Sequence, residues 1–141
     1  MNRIARVLLF GLLCFGGCAL VEPTTEQSTV TKWQGGDSPH YRVSSRVGKF
    51  TKKVRSSEIS TYAEDGQELC RISILIGSSS YNYGIQTIKE SPSYPCGTGT
   101  EIRACSDCGF LTNEDQDQIR KRLLCYGLAP AAIDRFFDSL K

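Results

Sequence analysis

The sequence predicts an α+β domain, in which a small antiparallel sheet of three or four strands packs with a C-terminal helical hairpin. Three observations support this class. Apolar residues alternate with polar ones between about residues 40 and 90, which is typical of half-buried strands. Apolar residues recur at helical spacing within 112–141. Cysteines are concentrated in the loop segment 91–111 and the first helix, so we expect the domain to be stabilised by disulfides.

The predicted strands follow from period-two patterns and turn signals. Tyr41, Val43 and Val47 alternate with polar residues in the first strand. The next two strands flank the segment 64–67, where Asp-Gly is a strong hairpin signal. A last strand covers 81–88, and Gly84 within it suggests a bulge. The third strand supplies the expected core face through Cys70, Ile72, Ile74 and Ile76.

The C-terminal part predicts two short helices over 112–141. Thr112 is a suitable N-cap, Gly127 suits the end of the first helix, and Pro130 suits the first turn of the second. Both helices carry apolar faces that need a covering surface, and the core face of the sheet is the expected one. These faces consist of Ile119, Leu123 and Tyr126 in the first helix, and Ile133, Phe136, Phe137 and Leu140 in the second.

Five cysteines lie in the predicted domain, so one of them is expected to remain unpaired. Cys70 lies in a core strand, where a free thiol behaves as a small apolar side chain. The disulfide candidates are the other four, and we expect Cys125 to bond to one of the remaining three. They are Cys96, Cys105, Cys108 and Cys125.

Two alternatives use the same cysteines. Cys105-Ser106-Asp107-Cys108 has the spacing of a redox dithiol, although Asp107 between the sulfurs disfavours a low thiol pKa. The four disulfide candidates could also form a zinc site, but only one close pair is present where two are usual. Structural disulfides remain the favoured interpretation, with no metal and no other cofactor.

The first seventeen residues predict an export signal. Arg3 and Arg6 precede the apolar run 7–15, and small residues follow it. The apolar stretch is about fifteen residues long, whereas a membrane-spanning helix needs roughly twenty. Export to an oxidising compartment is also the setting in which disulfides persist.

The segment Phe15-Gly16-Gly17-Cys18 resembles the lipobox of bacterial lipoprotein precursors, with Phe15 where Leu is usual. The resemblance covers the leader only. It implies removal of residues 1–17 and lipid attachment at Cys18. Because Ala19 rather than Asp follows that cysteine, it also implies a periplasm-facing outer-membrane location. In the alternative, a peptidase cuts after Cys18 or Ala19 and the mature chain is secreted freely.

The segment 18–39 is expected to be a lipid-linked flexible tether that leads into a single domain over 40–141. Its residues 22–39 are rich in Thr, Ser, Gln, Gly and Pro and poor in aliphatic residues. The whole chain has 17 Lys and Arg and 15 Asp and Glu. Loss of Arg3 and Arg6 with the leader leaves a formal net charge of zero, so the overall charge indicates no nucleic-acid partner.

Six basic residues without an intervening acid form a candidate basic patch between residues 42 and 55. Lipid headgroups, lipopolysaccharide phosphates or an acidic protein could bind it, and the plain interpretation is a solvated strand face. Nucleic acid is the least favoured partner, because the predicted compartment is wrong for it and because only Tyr41 and Phe50 interleave with the charges to stack on bases. The patch consists of Arg42, Arg46, Lys49, Lys52, Lys53 and Arg55.

No hydrolase, zinc-protease or phosphate-loop motif is present, and His40 is the only histidine. The sequence therefore predicts a non-enzymatic accessory lipoprotein of the bacterial envelope, for example of a secretion or conjugation system, with a protein partner and no evident small-molecule substrate. The alternatives are a freely secreted, disulfide-stabilised binder or inhibitor and a thiol–disulfide redox protein.

Overall fold

The computed structural model describes residues 22–141. The predicted export signal and Cys18 lie outside the described residues. Six antiparallel strands form one sheet in chain order, and two helices follow. The strands are β1 (Thr24–Lys32), β2 (Pro39–Gly48), β3 (Val54–Tyr62), β4 (Glu68–Ile76), β5 (Ser80–Thr87) and β6 (Thr100–Ser106), and the helices are α1 (Asn113–Cys125) and α2 (Pro130–Ser139).

The predicted α+β class and the two C-terminal helices are confirmed, but the strand number of three or four is wrong. One additional strand, β1, lies in the segment 22–39 that was expected to be a disordered tether. It pairs with β2 along its whole length, from Thr24 opposite Gly48 to Lys32 opposite Pro39. Nearly every residue of β1 is exposed, so its sequence carries no apolar alternation. Backbone pairing, which a sequence pattern does not report, holds this edge strand in place.

The other additional strand, β6, lies in the segment 91–111 that was expected to form loops. It pairs with β5 from Ser80 opposite Ser106 to Gln86 opposite Thr100. Its residues are also almost all exposed, and Ile102 is 78% accessible. Both missed strands are the edges of the sheet, and side chains at an edge need not be apolar.

The central hairpins agree with their sequence signals. Gly66 has a φ of 89°, which suits the Asp-Gly turn between β3 and β4. The bulge expected at Gly84 is wrong, because the register runs without a shift from Ser73 through Gly84 to Ile102. An added Cβ at Gly84 would meet no atom closer than 3.7 Å, so the packing does not require glycine at this position.

The helices cover one face of the central strands. Thr112 caps α1 by accepting a 3.2 Å hydrogen bond from the Asp115 backbone N–H, Gly127 ends that helix with a φ of 85°, and Pro130 begins α2. The buried core joins both layers, and it includes Cys70, Ile72, Ile74, Tyr83, Ile85, Ile119, Leu123, Ile133, Phe136 and Phe137. No helix within residues 22–141 is long and apolar enough to cross a membrane.

Candidate functional site

The face of the sheet opposite the helices carries polar side chains from neighbouring strands. In register across β2, β3 and β4, one row contains Arg42, Ser60 and Arg71, and the next contains Ser44, Glu58 and Ser73. Together with Arg46 and Ser56 in a third row, these eight residues define what we call the open face. They line a solvent-open groove of about 600 Å³. Ser60 is buried at 5% exposure, whereas the polar groups of the other seven residues are at least partly exposed and available to a partner.

The charges of the open face are only partly paired within the chain. Arg71 donates two 2.9 Å hydrogen bonds to the Glu68 carboxylate and lies 3.6 Å from Glu58. The bonds to Glu68 raise the pKa of Arg71, so the counter-charge of this guanidinium comes from within the chain. By contrast, Arg42 and Arg46 form no salt bridge with any residue of 22–141.

The six residues of the predicted basic patch lie in three settings. Arg42 and Arg46 belong to the open face. The three lysines Lys49, Lys52 and Lys53 are exposed in the turn between β2 and β3. Arg55 is half-buried at the start of β3 and pairs with Glu22. The patch therefore divides into two arginines on the sheet, a lysine turn and a structural ion pair.

Glu22 binds this turn through several donors at once. Its carboxylate accepts hydrogen bonds from the backbone of Phe50 (3.1 Å), from the Thr51 hydroxyl (2.5 Å) and from the Arg55 guanidinium (2.5 Å). The Thr51 and Arg55 bonds lower the pKa of Glu22 to about 2. A Cβ at position 48 would overlap the same carboxylate, so Gly48 leaves the space that this contact requires. The chain consequently enters the domain at a fixed point beside the turn.

The structure forms two disulfides from the four candidate cysteines. Cys96 bonds to Cys125 with a Cα–Cα distance of 5.7 Å, and Cys105 bonds to Cys108 with a distance of 5.8 Å. Cys70 is a free, buried thiol, and desolvation raises its pKa to about 11. Within 22–141, no three His, Cys, Asp or Glu side chains are grouped as a metal site requires.

A buried polar cluster joins the start of α1 to the sheet, and the sequence reasoning missed it. Asp115 accepts hydrogen bonds from the hydroxyls of Tyr81 and Tyr83, the latter at 2.9 Å, and lies 4.0 Å from Arg103. Desolvation opposes ionisation of Asp115, but the Tyr81, Tyr83 and Thr112 bonds and Arg103 outweigh it and lower its pKa. The two core-facing tyrosines were the available signal, because a buried phenol needs a partner for its hydroxyl.

His40, the only histidine of the chain, is partly buried. Its ring stacks on Trp33 with 3.7 Å between centroids, and its Nε2 lies 3.5 Å from the Tyr126 carbonyl oxygen. Desolvation lowers the pKa of His40. These contacts place the histidine in the packing between the β1–β2 turn and the end of α1.

Together, these features define a disulfide-bonded α+β protein with helices on one face of a six-stranded meander and a polar open face on the other. No protein-family model, curated protein sequence or solved structure matches the chain.

Proposed function

We propose that the chain is an exported lipoprotein, anchored in the outer membrane through Cys18, that binds a protein partner of the cell envelope as a non-enzymatic accessory protein. The open face is the observation that carries this proposal. Its groove is broad and polar, and its arginines and serines can donate hydrogen bonds to a partner. Arginine is enriched at protein interfaces because its planar guanidinium binds carboxylates in a bidentate manner.

The chemistry of the partner follows from the unpaired charges. Arg42 and Arg46 form no salt bridge among the described residues, although Glu26 of β1 lies opposite Arg46 in the sheet register. A partner segment bearing Asp or Glu would supply these counter-charges. The serine hydroxyls between the two arginines would bind polar groups of the same segment.

Two further observations support export and anchoring. The Cys96–Cys125 and Cys105–Cys108 bonds suit an oxidising compartment. Glu22 follows Cys18 by only four positions, so a lipid on Cys18 would hold the domain next to the membrane.

The anchor is tested by metabolic labelling with palmitate. We expect label in the wild-type protein and none in Cys18→Ala. Label that persists in Cys18→Ala would remove Cys18 as the anchor, and absence of label from the wild type would favour the freely secreted binder.

The partner is tested by cross-linking in intact cells followed by purification of the chain. Arg42→Glu/Arg46→Glu should reduce recovery of the cross-linked protein at least tenfold, because both charges would repel an acidic segment. Lys121→Glu/Arg135→Glu makes the same change in net charge at exposed positions of the two helices, away from the open face, and should leave recovery unchanged. Equal recovery from both variants would remove the open face as the binding site.

The Cys105–Cys108 bond favours a second candidate, thiol–disulfide exchange, because both cysteines are partly exposed. A substrate dithiol would transfer two electrons and two protons to this bond, leaving two protein thiols and an oxidised substrate. Reduction of the isolated protein by a dithiol peptide tests this candidate, with Cys105→Ser/Cys108→Ser as the control. Peptide oxidation at the rate of the control would reject it.

A further inference from the structure

We propose that the turn between β2 and β3 rests on an anionic lipid surface. This turn, residues 49–53, is called the basic turn below. The inference rests on the proposed lipid anchor at Cys18 and adds a second contact between the domain and the membrane. It concerns the basic turn only, and the open face remains the proposed binding site of the protein partner.

The basic turn combines positive charge with an exposed aromatic ring. Lys49, Lys52 and Lys53 are exposed and form no salt bridge with a residue of 22–141. Phe50 lies between them and is 77% accessible, so its ring is free to contact a surface that the lysines approach. Lysines attract anionic headgroups, while an aromatic side chain gains free energy on entering the headgroup region.

The fold places the basic turn beside the point where the N-terminal segment joins the domain. The Lys49 backbone N–H donates a 2.9 Å hydrogen bond to the Pro23 carbonyl oxygen, and the Glu22 carboxylate accepts from Phe50 and Thr51. Glu22 is four positions from Cys18, and four extended residues span at most about 14 Å. A lipid on Cys18 would thus hold the basic turn within reach of the bilayer.

Electrostatic attraction at this distance is strong enough to orient the domain. Each lysine close to an anionic membrane strengthens binding about fivefold, so three lysines contribute roughly a hundredfold. The Debye length at physiological salt is about 8 Å, so the attraction needs the close approach that a short link provides. The flexible tether predicted for 22–39 would not have provided it, whereas in the structure β1 already begins at Thr24 of that segment.

The test uses Phe50→Trp in the full chain, purified from membranes with detergent and reconstituted into vesicles. The wild-type chain has one tryptophan, Trp33, and supplies the background. We expect brominated lipid to quench the introduced tryptophan in vesicles of phosphatidylethanolamine and phosphatidylglycerol, and at least fivefold less in phosphatidylcholine vesicles. Quenching should also fall in high salt.

A charge-matched pair of variants, both built on Phe50→Trp, separates the basic turn from net charge. Lys49→Gln/Lys52→Gln/Lys53→Gln should abolish the quenching of the introduced tryptophan. Lys32→Gln/Lys89→Gln/Lys121→Gln removes the same charge elsewhere and should preserve it. Equal quenching in neutral and anionic vesicles, or equal quenching in the two triple variants, would overturn the proposal.

Palmitate labelling of the same preparation distinguishes failure of the anchor from failure of this inference. Labelled protein whose introduced tryptophan is not quenched keeps the anchor and overturns the membrane contact. Unlabelled protein in which that tryptophan is quenched only in anionic vesicles removes the anchor and supports the contact. A photo-crosslinker at position 50 should react with lipid in cells, and a protein adduct there would overturn the proposal in favour of a protein partner.

Discussion

Asp115 connects two layers of the fold through one carboxylate. It binds the hydroxyls of Tyr81 and Tyr83 from β5, while its backbone N–H binds the Thr112 cap of α1. We expect Tyr83→Phe to lower the free energy of unfolding by about 1–2 kcal/mol, because Asp115 would lose one donor in a buried site. Urea unfolding of the full chain measures this change.

Tyr62 supplies the control for that measurement. This residue is only partly buried at the end of β3, and Tyr62→Phe removes the same hydroxyl from the same sheet. We expect a change within about 0.5 kcal/mol. Equal losses in the two variants would show that the Asp115 cluster does not stabilise the helix–sheet contact.

Glu22 makes stability depend on pH in the acid range. Its folded-state pKa of about 2 lies below the ordinary 4.5, chiefly because of the bonds from Thr51 and Arg55. A depressed pKa contributes stability that is present above the ordinary value and is lost as the pH falls towards the folded value. Between pH 4.5 and 2, the free energy of unfolding should therefore fall more steeply in the wild type than in Glu22→Gln.

Arg55→Gln tests the same assignment from the cationic side, because it removes the guanidinium that binds the Glu22 carboxylate. The pH slope should decrease in this variant as well, because the pKa of Glu22 moves back towards its ordinary value. Parallel slopes in all three proteins would contradict the assignment of this pH dependence to Glu22.

At the scale of elements, the Cys96–Cys125 bond joins the loop before β6 to the last residue of α1 and spans 29 positions. Cys96→Ser/Cys125→Ser should lower the free energy of unfolding by about 3–4 kcal/mol, because the unfolded chain regains the entropy of that loop. The Cys105–Cys108 bond closes a loop of only 3 positions, so Cys105→Ser/Cys108→Ser should lower the free energy of unfolding by only about 1.5 kcal/mol. Denaturant unfolding would contradict this if the second pair proved the more costly.

The strands should differ in protection from hydrogen exchange. β4 has strands on both sides and a buried face against the helices, whereas β1 is an exposed edge. Backbone amides of β4 that bond to β3 or β5 should exchange slowly, because they are exposed only when the core opens. Those of β1 should exchange faster, because the edge strand can fray locally. Exchange followed by mass spectrometry measures both, and equal protection would indicate that β1 unfolds only with the whole domain.

At the scale of the whole molecule, the packed core determines the reactivity of Cys70. The thiol is fully buried and its pKa is raised to about 11 by desolvation, so little thiolate forms at neutral pH. In the native protein at about pH 8, an alkylating reagent should leave Cys70 unmodified, and in denaturant it should modify the residue fully. Peptide mapping identifies the site, and rapid native labelling of Cys70 would contradict the burial.

The sequence by itself determined the parts of this protein whose side chains are repeated in a pattern. Strand β4 (Glu68–Ile76) contains the alternating Cys70–Ile76 face that predicted it. Thr112, Gly127 and Pro130 mark the helix ends because each acts on the backbone within a few residues. Apolar periodicity and helix capping both depend on residues that are close together in the sequence, so the sequence was sufficient to predict these elements.

Only the tertiary structure decided the edges, the cysteine pairing and the surfaces of the candidate site. β1 and β6 are strands through backbone bonds to neighbours, so their exposed side chains follow no period. The sequence left Cys125 with three candidate partners, and the fold brought Cys96 to it. The six basic residues between positions 42 and 55 were separated into the open face, the basic turn and the Glu22 pair, because strand register and turn geometry set which side chains share a surface.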